Sequence, residues 1–99
     1  METREVFQEK ATKTINFIFD SIEVLENRIH HFSDDMKIKF APQLENLKVR
    51  KVELEKELNH LKEATSESWE DAKMGFEKSS DIMHHQLEKM REHFKNHHG

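Results

Sequence analysis

The residues best suited to chemistry in this sequence are its histidines, of which there are eight in 99 residues. Imidazole nitrogens bind transition metals and exchange protons near neutral pH. His93 and His97 are one turn apart if their segment is helical, so both can reach one ion. A chain that folds back on itself would bring His30 and His31 to the same end of the molecule. These four histidines are the candidate metal ligands.

The surroundings of these histidines favour solvated side chains over a built metal site. A di-iron carboxylate bundle requires two Glu-x-x-His motifs and further inward-facing glutamates. This sequence has one such motif, Glu57 to His60. We therefore expect no resident metal and no cofactor, with adventitious binding by the terminal histidines as an alternative. A histidine-rich metal-binding bundle is kept as an alternative function.

Other catalytic groups are absent from the sequence or have simpler roles. There is no cysteine, and the only glycines are Gly75 and Gly99, so the chain has neither a thiol nucleophile nor a glycine-rich phosphate loop. Serine and aspartate lie where they would cap helices or face solvent. We predict that the protein is not an enzyme.

The elements that position all of these residues are predicted to be helices. Apolar residues recur at alternating three- and four-residue steps, which is typical of packed α-helices. The main examples are Ile15, Ile18, Ile22, Leu25, Ile29, Leu54, Leu58, Leu61, Met83, Leu87, Met90 and Phe94. With 36% charged residues and so short a chain, we expect one all-α domain over residues 1–99, with a thin core and coiled-coil packing.

Two breaks in the pattern define three predicted helical segments, at about 3–33, 35–63 and 66–95. Ser68, with Asp71 three residues later, marks the start of the last segment. The first break is less sharply defined, because Pro42 disfavours helix while the apolar pattern continues past it. The segments therefore form either an antiparallel three-helix bundle or a kinked long helix that returns as a hairpin.

Both arrangements predict the same pairing of the last two segments. A turn near residue 64 would place residue 85 beside residue 44. It would also place His60 beside Trp69, and residue 98 beside residue 31.

The first segment is apolar on two sides, which suggests that it contacts something besides its own chain. Val6, Phe17 and Val24 project away from the main apolar stripe, and a short chain has too few helices to bury both faces. We predict that these residues, together with Phe19, bind a partner. The alternative is that they are isolated exposed apolar residues of no special role.

The charges favour protein partners over nucleic acid or membrane. Residues 36–62 carry seven basic and four acidic side chains, whereas the segments on either side are acidic. Such an order suits adjacent helices with complementary flanks. With no signal peptide and no transmembrane segment in the sequence, we expect a cytoplasmic protein without stable membrane insertion.

The segment from Leu61 to Lys78 carries a family resemblance. Its Leu-Lys-Glu-Ala, Trp-Glu-Asp and Lys-x-Gly elements resemble the turn of small bacterial coiled-coil proteins of the stress-response type, mainly over residues 54–78. The resemblance implies a cytoplasmic helical hairpin with a structural or protective role, and it brings no catalytic residues.

The sequence thus predicts a non-enzymatic helical interaction protein, acting as a small assembly or accessory subunit through burial of a helix face. Its partner is predicted to be another protein or copies of itself. A self-associating, stress-protective coiled-coil protein is a further alternative.

Overall fold

A computed structural model of the chain describes residues 3–96, with only the backbone of Asn96. It contains three helices, α1 (Arg4–His30), α2 (Asp34–Glu63) and α3 (Trp69–Asn96), and no strand among the described residues. The prediction of an all-α fold is confirmed. Of the two predicted arrangements, the structure has the three-helix bundle.

Short polar side chains define where each helix begins. The Thr3 hydroxyl accepts a hydrogen bond from the Val6 amide at 3.2 Å, and the Ser33 hydroxyl accepts one from the Met36 amide at 3.4 Å. These contacts satisfy amides that have no partner in the first helical turn. The first break in the chain is therefore a short connection ending at Ser33.

The connection before α3 uses a different cap from the expected pairing of Ser68 with Asp71. The Ser68 hydroxyl accepts from the Thr65 amide at 3.0 Å, and the Thr65 hydroxyl accepts from the Ser68 amide at 3.3 Å. This reciprocal pair of hydrogen bonds stabilises the turn that precedes α3. The turn and its cap therefore occupy residues 64–68 as one unit.

Pro42 lies inside α2 without ending it. Proline cannot donate to the carbonyl four residues earlier, which here belongs to Ile38. Both residues are exposed on the outer side of the helix, where water can bind that carbonyl. The helix therefore continues through Pro42 because the missing hydrogen bond faces solvent.

The helices run up, down and up along a body of 50 × 21 × 16 Å. Phe40 packs on Phe94 with ring centroids 4.9 Å apart, and Glu57 lies against Gly75. These pairs differ from the predicted pairing of α2 with α3 by about one helical turn. The reason is that the connection is centred on residue 66, beyond the expected turn near residue 64. The expected neighbour of residue 31, residue 98, lies outside the described residues.

The core is aliphatic in the middle and aromatic at both ends. We call one end the tryptophan end; it consists of Arg4, Phe7, Trp69, Lys73 and Phe76. We call the other the phenylalanine end; it consists of Arg28, Phe32, Phe40, His93 and Phe94. The phenylalanine end joins side chains of all three helices, and the tryptophan end joins α1 to α3 and, through a hydrogen bond from Arg4 to the Leu61 carbonyl, to α2. Together the two ends fix how the helices pair.

Candidate functional site

The histidines proposed as metal ligands do not assemble a site within the described chain. His30 and His31 lie with ring centroids 6.2 Å apart, and both are exposed. His93 Nδ1 is 3.5 Å from Gln43 Nε2. Over residues 3–96, no three His, Cys, Asp or Glu side chains are grouped closely enough to hold a metal ion. His97 and His98 lie outside the described residues.

The basic segment of α2 is partly used inside the molecule. Lys48 Nζ lies 2.8 Å from Glu26 Oε1 of α1, and this hydrogen bond raises the pKa of Lys48. Lys51 Nζ lies 4.4 Å from the ring centre of Phe19, a cation–π contact. The complementary flanks expected from the charge order are thus present between α1 and α2.

The structure separates the four predicted partner-binding residues into two groups. Val6, Phe17 and Val24 are exposed on one face of α1. Phe19 is half-buried on another face, where it packs on the core beneath Lys51. Phe19 therefore contributes to the packing of α1 on α2, away from the other three.

Phe17 and Val24 line an apolar groove between α1 and α3. They are 53% and 58% exposed, and the groove encloses about 320 Å³. Its deeper wall includes Leu25 and Phe94, which belong to the core. The two helices run parallel here, and the groove lies on the side of the bundle away from α2.

The edge of this groove is mainly basic. Arg28, Arg91 and Lys95 line it, with Asp20 as the acidic member. Arg91 is held in place by hydrogen bonds to the Ser21 hydroxyl at 3.4 Å and to Glu88 Oε1 at 3.2 Å. The chain as a whole has a net charge of −4, so the charge at this edge is opposite in sign to that of the whole molecule.

Sequence reasoning found the apolar residues of this groove but missed its basic edge. Phe17 and Val24 are seven residues apart, so their common face is evident from helical spacing. Arg91 and Lys95 are also on one face, of α3, but nothing in their spacing indicates that this face meets α1. The grouping depends on how the helices pack.

A second apolar surface, on the outer side of α2, was also missed. Ile38, Val49 and Val52 are 74%, 55% and 53% exposed. They share one face of the helix, opposite the buried side that contains Phe40 and Leu54. The signal was present as a second three- and four-residue pattern, which the continuous core pattern of α2 obscured.

Two further depressions carry several polar side chains. One of about 250 Å³ lies between α2 and α3 and is lined by Gln43, Asn46 and Gln86, among others. The Gln86 Oε1 atom is buried there without a hydrogen-bond partner among the described residues. Another, near the turn at residues 64–68, includes Glu57 and His60, whose side chains are 3.7 Å apart. Neither depression groups residues into a recognisable catalytic arrangement.

Comparison with known proteins gives no relative from which a function could be transferred. No protein-family model matches the chain, and no curated protein or solved structure matches it significantly. A bilayer-spanning segment is not found among the described helices, because none of them keeps an apolar run of the required length. The resemblance to stress-response coiled-coil proteins stays a prediction.

Proposed function

We propose that this protein is a non-enzymatic interaction module, an assembly or accessory subunit of the cytoplasm. Its groove between α1 and α3 would bind an amphipathic helix of another protein. The observation that carries the proposal is the exposed pair Phe17 and Val24 above an apolar groove of about 320 Å³. Helix-in-groove binding is a common mode of recognition for such surfaces.

A partner that covers Phe17 and Val24 displaces water from two exposed apolar side chains. Each leaves more than half of its surface in solvent, and burial contributes about 25 cal/mol per Å² of apolar area. An aromatic side chain at the centre of a groove is a typical hot spot of binding. Phe17 would therefore supply the largest single contribution, with Val24 one step along the same face.

The charges around the groove define the chemistry of the partner. Arg28 and Lys95 flank the apolar surface, and Arg91 is fixed beside them by Ser21 and Glu88. An apolar helix with acidic residues on its flanks would meet this edge favourably, which mainly improves specificity and the rate of association. Asp20 would repel an acidic group of the partner at its own position in the groove.

Two alternatives lead to different expectations. A self-associating protective protein would bury the same groove against its own copies, and the acidic flanks of α1 could then face the basic edge. A metal-binding protein would depend on His97 and His98 acting with the described histidines. The mass of the complex isolated from cells distinguishes all three.

The test is native mass spectrometry of the protein purified from its own cells, in three forms. The first is the natural chain, and the second carries Phe17→Asp with Val24→Asp. The third is the matched control Met74→Asp, which alters an exposed apolar residue of α3 outside the groove. Circular dichroism on each form checks that the helices are retained.

A heteromeric mass that persists in the Met74→Asp variant and disappears in the double variant supports the proposal. A heteromer that survives in all three forms would place the contact elsewhere. A metal-free homo-oligomer that disappears in the double variant would favour the self-associating alternative, and a defined metal mass would favour the metal-binding one.

A further inference from the structure

The outer side of α2 carries a continuous pattern of exposed residues that has no role in the bundle. Its steps alternate four and three residues over seven intervals, which is the spacing of a helix that packs along another helix. We call these residues the outer seam: Ile38, Pro42, Glu45, Val49, Val52, Lys56, Asn59 and Glu63. Every one of them is exposed.

The outer seam is complementary to a second, antiparallel copy of itself. If two copies of α2 lie antiparallel with a two-fold axis between residues 50 and 51, Val49 of each copy faces Val52 of the other. The same register places Glu45 opposite Lys56, twice. Within the described chain neither Glu45 nor Lys56 forms an ion pair. Glu45 acts only at longer range on Lys48, so both side chains can pair between copies.

Neighbouring registers lack this match. Sliding one copy by a whole heptad in one direction sets Glu45 against Val49. Shifting it the other way sets Val52 against Lys56 and brings Glu45 opposite Glu63. The proposed register has one mismatch of this kind, Ile38 opposite Glu63, at the two exposed ends of the contact. Each shift instead places a charge on a valine near the axis, and the second adds like-charge repulsion, so the chemistry favours one register.

Pro42 adds a specific contact in that register. The Ile38 carbonyl lacks its helical donor because Pro42 has no N–H. The residue opposite Pro42 is Asn59 of the second copy, whose side-chain amide can donate to that carbonyl. Burial of this surface would therefore satisfy the backbone group that the proline leaves open.

From these observations we propose that the outer seam of α2 binds the outer seam of a second copy of this chain. The contact is two-fold symmetric and antiparallel, with Val49 and Val52 at its centre. Its overlap, residues 38–63, is about 38 Å long at 1.5 Å per residue. It is narrow compared with a standard interface of about 1,600 Å², so the dimer forms reversibly and depends on concentration.

This contact is separate from the groove proposed above to bind another protein. The groove lies between α1 and α3, and the seam lies on the far side of α2. A dimer formed through α2 therefore presents two grooves, both still open. The Phe17→Asp, Val24→Asp double variant removes the groove residues and leaves the seam intact, so failure of one proposal is distinguishable from failure of the other.

The first experiment exchanges the charges of the seam. Sedimentation equilibrium on the natural chain, from about 10 µM to about 1 mM, measures the dimer. Glu45→Lys alone and Lys56→Glu alone each create two like-charge pairs, and we expect each to weaken the dimer about tenfold. Glu45→Lys together with Lys56→Glu restores opposite charges and should restore dimerisation.

The control is Glu55→Lys, which makes the same charge change on α2 outside the seam. We expect it to leave the dimer nearly unchanged. The proposal is overturned if the natural chain is monomeric throughout, if the two single reversals have no effect, or if the double reversal fails to restore the dimer.

The second experiment determines the register by disulfide trapping, which the cysteine-free chain permits without background. Val49→Cys and Val52→Cys proteins are mixed in equal amounts and oxidised. The proposed register predicts that the mixed 49–52 disulfide exceeds the statistical half of the products. Excess 49–49 and 52–52 disulfides would indicate a parallel pair, and a statistical mixture would indicate no fixed contact; both results contradict the proposal.

Discussion

The two ends of the bundle join the same three helices by different physical means. At the phenylalanine end, Phe40 is fully buried, and the rings of Phe32 and Phe94 lie 5.7 and 4.9 Å from it. At the tryptophan end, Trp69 is only half-buried, and cations cover the rings. Arg4 lies 4.9 Å from the Trp69 ring centre, and Lys73 lies 5.2 Å from that of Phe7.

Backbone capping is the other difference between the ends. Arg4 Nη2 and Gln8 Nε2 each donate to the Leu61 carbonyl at 3.2 Å, at the C-terminal turn of α2. That carbonyl is among those left without a helical partner at a helix end. The tryptophan end is thus held largely by side chains that reach from the surface. At the phenylalanine end one cation, Arg28, lies over Phe94, and burial of the rings is the larger contribution.

The two ends should therefore differ in how readily they open. Apolar burial inside a packed core is lost only when the helices separate, whereas exposed polar contacts exchange with water. We therefore expect the tryptophan end to open first and the phenylalanine end to open with global unfolding. Substitutions of Phe40 and of Arg4 test this difference directly.

Phe40→Ala should have the largest effect, a loss of about 3–5 kcal/mol in the free energy of unfolding. It leaves a cavity between Phe32 and Phe94 at the phenylalanine end. Urea unfolding followed by circular dichroism measures the loss. Phe17→Ala, which removes an exposed ring, is the matched control and should cost about 0.5 kcal/mol or less.

Arg4→Met should cost about 1–2 kcal/mol, because it removes the cation over Trp69 and one of two donors to the Leu61 carbonyl. Native-state hydrogen exchange should show faster opening at the C-terminal turn of α2. Arg50→Met removes an arginine whose partner is Glu53 on the same helix, and it should change little. Equal effects of both substitutions would mean that Arg4 has no special role in closing its end.

Gly75→Ala should stabilise the protein by up to about 1 kcal/mol, since glycine is the weaker helix former. The added methyl group would lie 2.6 Å from Glu57 Oε2, the mobile tip of a side chain that can move aside. The gain should increase in a Glu57→Ala background, where that contact is absent. Thermal unfolding of the four proteins measures both effects, and a net loss in both backgrounds would contradict the explanation.

Glu26→Gln should have the smallest effect, because the Glu26–Lys48 pair is nearly half exposed. The hydrogen bond raises the pKa of Lys48 in the folded chain, so the pair stabilises fully below the pKa of unfolded lysine. Its contribution is lost as the pH rises through the folded-state pKa. The melting temperatures of the natural chain and the variant should therefore converge at alkaline pH, and also in about 1 M salt.

The sequence was sufficient for the helices and their buried faces, because core residues such as Ile18, Leu54 and Leu87 repeat at the helical period. It was not sufficient for the pairing of α2 with α3. That pairing depends on the length of the connection at residues 64–68, where Thr65 and Ser68 bond to each other. The turn was predicted near residue 64, whereas the connection between Glu63 and Trp69 is centred on residue 66.

The candidate site was predictable only in part, for a related reason. The seven-residue spacing of Phe17 and Val24 was enough to predict an apolar face on α1. The basic edge formed by Arg28, Arg91 and Lys95 combines two helices that are distant in sequence, and the sequence does not encode which faces meet. Phe19 was placed wrongly for the same reason. It packs inward beneath Lys51 of α2, a neighbour that the spacing within α1 does not reveal.

The contact between Arg4, Leu61 and Trp69 has a consequence for biosynthesis. Arg4 is translated before both of its partners, which belong to later helices. At roughly 5–20 residues per second, Trp69 follows Arg4 by several seconds. During that interval α1 has no complete bundle on which to bury Ile15, Ile18 and Ile22. The nascent chain therefore exposes the apolar face of α1 to its surroundings before the folded protein covers it.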